Sequence, residues 1–138
     1  MLFTSNDIIT IKPDEANKDA YLQACQFAPT GNSLVFVYDN NLYYMPDGLQ
    51  QIIPITDNND RYIYNGIPDW IYEEEILAVG TALWWSPEGT RLAFAQFNDT
   101  SVDFQEYPWY GDTVDKVSQY LDRIKIKYPK VSGTLALY

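Results

Sequence analysis

Histidine is absent from the 138 residues, and cysteine occurs once. Without histidine the chain carries no Ser-His-Asp or Cys-His device, and most zinc chemistries are excluded with it. One thiol, Cys25, cannot make a disulfide within the chain. Basic residues are scarce, 9 against 19 acidic, for a net charge of −10. That balance argues against nucleic acid as a partner, because its phosphates would be repelled, and suits a cationic ligand. No apolar run approaches the roughly 18 residues of a membrane helix. The opening Met1-Leu2-Phe3-Thr4-Ser5-Asn6-Asp7 lacks the charged and apolar regions of a signal peptide. If the protein is secreted or anchored, its targeting segment lies outside these residues.

What is present is aromatic. Tyr, Phe and Trp make up 16% of a chain that is 46% hydrophobic, with 12 Tyr alone. Flat side chains suit a pleated, half-buried surface, so strands are favoured over helices and disorder is ruled out. The acids are not spread evenly. Residues 1–110 carry 16 acidic and 4 basic side chains, whereas residues 111–138 carry 3 acidic and 5 basic. Most of the acids read simply as a solubilising surface.

An internal repeat organises the strands. Phe27-Ala28-Pro29-Thr30-Gly31-Asn32-Ser33-Leu34-Val35-Phe36 matches Trp85-Ser86-Pro87-Glu88-Gly89-Thr90-Arg91-Leu92-Ala93-Phe94 at an offset of 58 residues. In each copy a strand ends on the aromatic, Pro fixes φ, Gly supplies a positive φ, and a new strand starts at Leu. After the first copy, turns at Asn40-Asn41 and at Pro46-Asp47-Gly48 separate Leu42–Met45 from a strand over residues 51–55. The resulting four-strand meander describes a propeller blade. The chain then holds roughly two and a half blades where a closed ring takes 4–8. The sequence therefore reads as an all-β, partial propeller of two to three blades, a piece of a larger protein.

Between the copies lies Tyr64-Asn65-Gly66-Ile67-Pro68-Asp69-Trp70-Ile71-Tyr72-Glu73-Glu74-Glu75-Ile76-Leu77. Asp69 is a good N-cap, and Trp70 through Leu77 allow about two helical turns. Three adjacent carboxylates repel one another unless a cation sits among them. Neighbours on a regular helix do not share a face. Two carboxylates therefore meet one ligand only on a short or irregular helix, or at its end. A solvated acidic turn is the alternative.

Asp69-Trp70-Ile71-Tyr72-Glu73-Glu74-Glu75 resembles the Asp-Trp-Val/Leu-Tyr-Glu-Glu-Glu motif of the dipeptidyl peptidase IV family. The flanks Tyr64-Asn65-Gly66-Ile67-Pro68 and Ala82-Leu83-Trp84-Trp85-Ser86-Pro87, then Leu92-Ala93-Phe94-Ala95-Gln96-Phe97-Asn98-Asp99-Thr100, agree with it. The likeness is strong over residues 62–100 and looser over 21–130. It implies a serine exopeptidase in which an eight-bladed propeller covers an α/β-hydrolase domain and an N-terminal dipeptide ending in Pro or Ala is released. Residues 1–138 would then be part of the propeller, without the hydrolase domain. By position, Glu74 and Glu75 grip the substrate's α-ammonium, and Glu73 does not. No cofactor is implied. The partners implied are a peptide with a free N-terminus and a second subunit. The location implied is the plasma membrane, ectodomain outside, or secretion. Inactive relatives that bind potassium channels keep a similar acidic motif. A non-catalytic interaction module and a functionless truncated product are therefore the competing readings.

Three further features are legible. Residues 102–110 and 120–128 alternate on either side of a polar stretch, 111–119, which predicts a two-stranded arm. In the family this arm helps form a dimer, which implicates Tyr107, Trp109, Tyr110 and Tyr120. The loop is longer than in familiar members, and Asp103 stands where Pro is common. Asn98-Asp99-Thr100 is an N-x-Thr sequon, which the resemblance makes a glycan site at Asn98. Cys25 is expected as a small buried hydrophobe. The likeness fades after Lys130, and the family's upstream substrate-binding arginine has no counterpart in residues 1–20.

Overall fold

The computed structural model describes residues 2–3, 8–9, 11, 21–47, 51–110, 120–130 and 136–137. Two short strands, β1 (Leu2–Phe3) and β2 (Ile8–Ile9), pair antiparallel. The first repeat then builds an antiparallel meander of β3 (Ala24–Phe27), β4 (Leu34–Tyr38), β5 (Asn41–Met45) and β6 (Ile53–Pro54), adjacent in that order. This is the four-stranded blade that the sequence predicts.

The β4–β5 turn sits one residue earlier than expected. Asp39 and Asn40 occupy it with φ of 48° and 60°, and Asn41 already pairs with Tyr38. A type I′ two-residue hairpin needs positive φ at both positions, and after glycine Asn and Asp tolerate it best. The turn read at Pro46-Asp47-Gly48 runs into residues 48–50, outside the described ones. Cys25 is exposed rather than buried. It lies on β3, the edge strand, and apart from Ala24 every residue of that strand is exposed.

β4 is buried on both faces, so its alternation separates two cores. Val35 and Val37 join Ala24, Leu42, Ile67 and Leu83, with Tyr44, Tyr64 and Trp85 packed against them. Leu34 and Phe36 join Met45 on the other face, with Leu22, Tyr43 and Ile52 around them. The first cluster contains residues from both repeats, so it is the joint between them.

The second repeat forms β8 (Leu83–Trp85) and β9 (Leu92–Phe94), paired as a hairpin. Its register, Trp85 opposite Leu92, repeats that of Phe27 opposite Leu34. The closing bond repeats as well: Ala28 N–H donates to the Ser33 carbonyl and Ser86 N–H to the Arg91 carbonyl, both at 2.9 Å. Beyond β9 the repeats diverge. Where the first copy turns, the second continues through Ala95 into β10 (Gln96–Asn98), which lies between β7 (Ile63–Asn65) and β13 (Ala136–Leu137). Ala95 is the switch point: its N–H donates to Ala82 and its carbonyl accepts from Gly66. Last comes the arm, β11 (Phe104–Trp109) against β12 (Asp122–Lys127), in register from Phe104–Lys127 to Trp109–Asp122. The stretch 111–119 lies outside the described residues. The architecture is thus β-sheet with one short helix, an open, partial propeller.

The two repeat turns touch. Thr30 Oγ1 donates to the Glu88 carbonyl at 2.8 Å, bridging equivalent loops. Gly89, at φ +70°, approaches so closely that an added Cβ would stand 2.8 Å from Thr30 Oγ1. Gly89→Ala is therefore expected to destabilise the chain by about 1–3 kcal/mol, from the left-handed backbone and the clash together. Adding Thr30→Ala should relieve the clash but not the backbone strain. Urea midpoints at constant slope measure both; full recovery in the double variant would remove backbone strain from the account.

Candidate functional site

The acidic segment is held from below. Residues 65–69 are buried without interruption as the chain leaves β7. Ile67 enters the inter-repeat core. Asn65, inaccessible to solvent, donates from Nδ2 to the Asn40 carbonyl at 2.9 Å and accepts from Gln96 Nε2 at 2.7 Å. Asp69 ends the buried run and starts the helix: its Oδ1 accepts from the backbone N–H of Ile71 at 2.9 Å and of Tyr72 at 3.1 Å. The N-cap is where the sequence places it.

The helix is irregular, as two ligating neighbours would require. One α-turn, α1 (Trp70–Tyr72), gives way to a π-type turn over Glu73–Leu77, and Ala78 ends it at φ 55°. Such turns are rare and concentrate at functional positions. Glu73, Glu74 and Glu75 fill its first turn and all three are exposed. Glu73 lies back along the loop that follows, since a Cβ on Gly80 would be 3.5 Å from its Oε1. Tyr72 tilts against Phe97 of β10 with ring centroids 5.0 Å apart, and so secures the helix on the blade.

Close to Asp69, the N-cap, lies a buried carboxylate that the sequence does not reveal. Asp99 is 1% exposed, and neither of its oxygens has a hydrogen-bond partner. Asp69 Oδ2 is likewise buried and unpartnered. Burial pushes the Asp99 carboxyl up to about 6; the Asp69 charge adds to this and the Lys127 ammonium opposes it. Burial, then Asp99 and Asp69, push the Tyr64 phenol up as well. Among the described residues no cluster of three or more acidic, Cys or His groups could hold a metal. The nearby cation is instead Lys127, whose Nζ donates to the carbonyls of Thr100 at 3.1 Å and Val102 at 2.6 Å.

Residues 3–135 match the family model of the dipeptidyl peptidase IV N-terminal region. The chain belongs to the dipeptidyl peptidase IV family. The match reaches beyond residues 21–130, where the sequence comparison above fades. The chain is 40% identical over 121 residues to the venom dipeptidyl peptidase 4 of Vespula vulgaris, covering 85% of this chain and 16% of that protein. It is 46% identical over 113 residues to human prolyl endopeptidase FAP, covering 81% of this chain and 14% of that protein. The fold aligns with the crystal structure of Porphyromonas gingivalis dipeptidyl peptidase 4 at a TM-score of 0.65 and 28% identity, over 83% of this chain and 16% of that one. The chain thus spans about one-sixth of the length of these relatives.

Within this dipeptidyl peptidase IV segment the other singled-out residues lie on β10 and on or beside the arm. Asn98 is half-buried on β10, and its Oδ1 accepts from Thr100 N–H at 3.1 Å and Oγ1 at 2.6 Å, closing the sequon on itself. Tyr107, Trp109, Tyr110 and Tyr120 are all exposed on or beside the arm. Lys127 and Asp99 carry no local sequence signal, one being a lysine in an alternating strand and the other the middle of a sequon.

Asp99 gives the fold a pH signature. Its pKa is raised in the folded state, so the folded chain holds the proton between about pH 4 and 6 while the unfolded chain does not. The associated stability is fully present below about pH 4 and is lost as pH rises through 6. Asp99→Asn should remove this component and be more stable above pH 6 by about 1–3 kcal/mol. The difference between wild-type and variant denaturation midpoints across pH 4–7 reads it directly; a pH-independent difference would assign the titration to another group.

Proposed function

We propose that this chain is the substrate-gating propeller segment of a dipeptidyl peptidase IV-like serine peptidase. Its role is to hold the α-ammonium of a peptide through Glu74 and Glu75, and the product is an N-terminal X-Pro or X-Ala dipeptide. The observation that carries the reading is the Asp69-capped turn, which changes from α to π as the three glutamates begin, inside the segment matched by the family. An ammonium offers three donors and no acceptor, so a pair of carboxylates complements it. Fixing the amine at a set distance from a nucleophile located elsewhere fixes the length of the product. The segment measures the substrate, and a triad outside these residues cuts it.

The same reading assigns the arm to a homodimer and Asn98 to glycosylation, in a protein displayed at the cell surface or secreted. Its competitor is a non-catalytic interaction module, favoured by the exposed aromatics of the arm, which suit a protein partner as well as a second subunit. A Gly-x-Ser-x-Gly elbow followed by Asp and His in the full-length protein selects the enzyme.

In that full-length protein, Glu74→Gln and Glu75→Gln are isosteric and should each lose about 1.5–3 kcal/mol of transition-state stabilisation, or about one to two decades in kcat/KM. Glu73→Gln should lose much less, in keeping with its position beside Gly80. Kinetics on a Gly-Pro anilide test this. Equal losses in all three variants, or equal cleavage of an N-acetylated substrate, would return the acidic run to a solvated turn. Separately, deleting residues 111–119 should shift the protein toward monomer in sedimentation; an unchanged dimer would count against the arm as the interface.

A further inference from the structure

The arm and the acidic helix meet at one residue. Trp70, the first residue of α1, donates its indole N–H to the Lys127 carbonyl at 2.8 Å. Its ring stands edge-on to Tyr128, with centroids 5.3 Å apart. Lys127 is the last residue of β12, and its side chain is anchored elsewhere. Besides the Thr100 and Val102 carbonyls, Nζ lies 4.9 Å from the centre of the Tyr62 ring and 4.4 Å from that of Phe104. Those two rings pack edge to face at 6.0 Å. The Lys127 side chain therefore holds the base of the arm, residues 100–104, together with Tyr62, while its carbonyl holds the helix. A cation shared between carbonyls and ring faces is well held, because each of these partners presents negative potential to it.

The helix is in no position to orient itself. One α-turn and one π-turn are too short to be stable alone, so external ties set their direction. Asp69 fixes the first N–H groups, Tyr72 leans on Phe97, and Trp70 bonds to the arm. Of these three, the Trp70 tie alone reaches the arm. Glu74 follows Trp70 by four residues, so a rotation of the turn about its axis moves the glutamate carboxylates directly.

We propose that Trp70 is a positioning residue for Glu74 and Glu75, and that its bond to the Lys127 carbonyl couples their orientation to the seating of the arm. The proposal rests on the ammonium reading of those glutamates. Anything that bends β11 and β12 at their base, including a second copy of the chain on the arm, moves the Lys127 carbonyl and with it the glutamates.

Trp70→Phe keeps a ring on Tyr128 and removes the indole N–H. In the full-length peptidase it should raise KM for Gly-Pro anilide about five-fold, the equivalent of one exposed hydrogen bond, with kcat within two-fold. Lys127→Met keeps the carbonyl but frees its anchor, and should raise KM in the same sense. The double variant should be no worse than the more affected single variant, because both changes act along one path. A general loss of structure would instead lower kcat through the active fraction and add in the double variant; either result overturns the proposal. Glu74→Gln in the same assay separates the two readings. Unchanged kcat/KM there overturns the ammonium clamp and this proposal together. A loss there with unchanged KM in both Trp70→Phe and Lys127→Met overturns this proposal alone. Should Trp70→Phe fail to fold, Lys127→Met carries the test.

Discussion

The side-chain amide of Asn65 has no access to water, so its donors and acceptor must be paired inside the protein, and the pairs it makes join the two repeats. Asn65 bonds through both its backbone N–H and Nδ2 to the carbonyl of Asn40, at 3.1 and 2.9 Å. Asn40 stands in the left-handed turn between β4 and β5 and is itself locked by Gln23 and by the Arg61 carbonyl. On its other side Asn65 accepts from Gln96 of β10. A buried amide left unpaired costs about 1–3 kcal/mol, so a slipped register between the repeats is penalised at once. Ile67 and Asp69 follow in the same buried run, and the position of the acidic helix descends from this amide chain.

The electrostatics of the site follow from that placement. A chain of net charge −10 puts three carboxylates on an exposed turn and buries two more, Asp69 at its N-cap and Asp99 near Asp69. Asp69 is compensated by the two backbone N–H groups that it caps. Asp99 is buried with neither oxygen hydrogen-bonded; burial first and the Asp69 charge second push its carboxyl up to about 6, against the opposing Lys127 ammonium. The acidic field on this face is therefore not a surface accident. It is partly built into the interior, where salt screens it little.

The parts of the fold that were legible in the sequence are those fixed by neighbours in the chain. Pro29 and Gly31, and again Pro87 and Gly89, dictate their turns, and alternation from Leu34 onward dictates the strands. The two-residue-period pattern on either side of residues 111–119 was enough for the arm. The Asp39-Asn40 turn lies one residue from the Asn40-Asn41 position that the sequence suggests, because Asp39-Asn40-Asn41 offers two adjacent pairs of turn-tolerant residues. Only the pairing of Tyr38 with Asn41 chooses between them. Asn65 to Asn40, Gln96 to Asn65 and Trp70 to Lys127 join residues 25, 31 and 57 positions apart. No local pattern signals such contacts. The acidic motif marks the candidate site, but the change from α to π and the burial of Asp99 depend on tertiary packing.

The arm shows why its base matters more than its length. A two-stranded ribbon is marginal in water on its own, and every residue of β11 is exposed. Its cross-strand ion pair, Lys125 with Glu106 at 2.7 Å, with Arg123 at 3.8 Å, holds the Glu106 carboxyl below the usual range. Exposed pairs of this kind add little to stability and weaken with salt. The ribbon must then take its direction from where it leaves the blade. There Phe104 packs on Tyr62, Lys127 lies across both rings, Pro129 is buried, and Trp70 closes on the Lys127 carbonyl. The base of the arm thus carries a direct tie to the helix, the Trp70 bond to the Lys127 carbonyl, beside its own contacts with Tyr62.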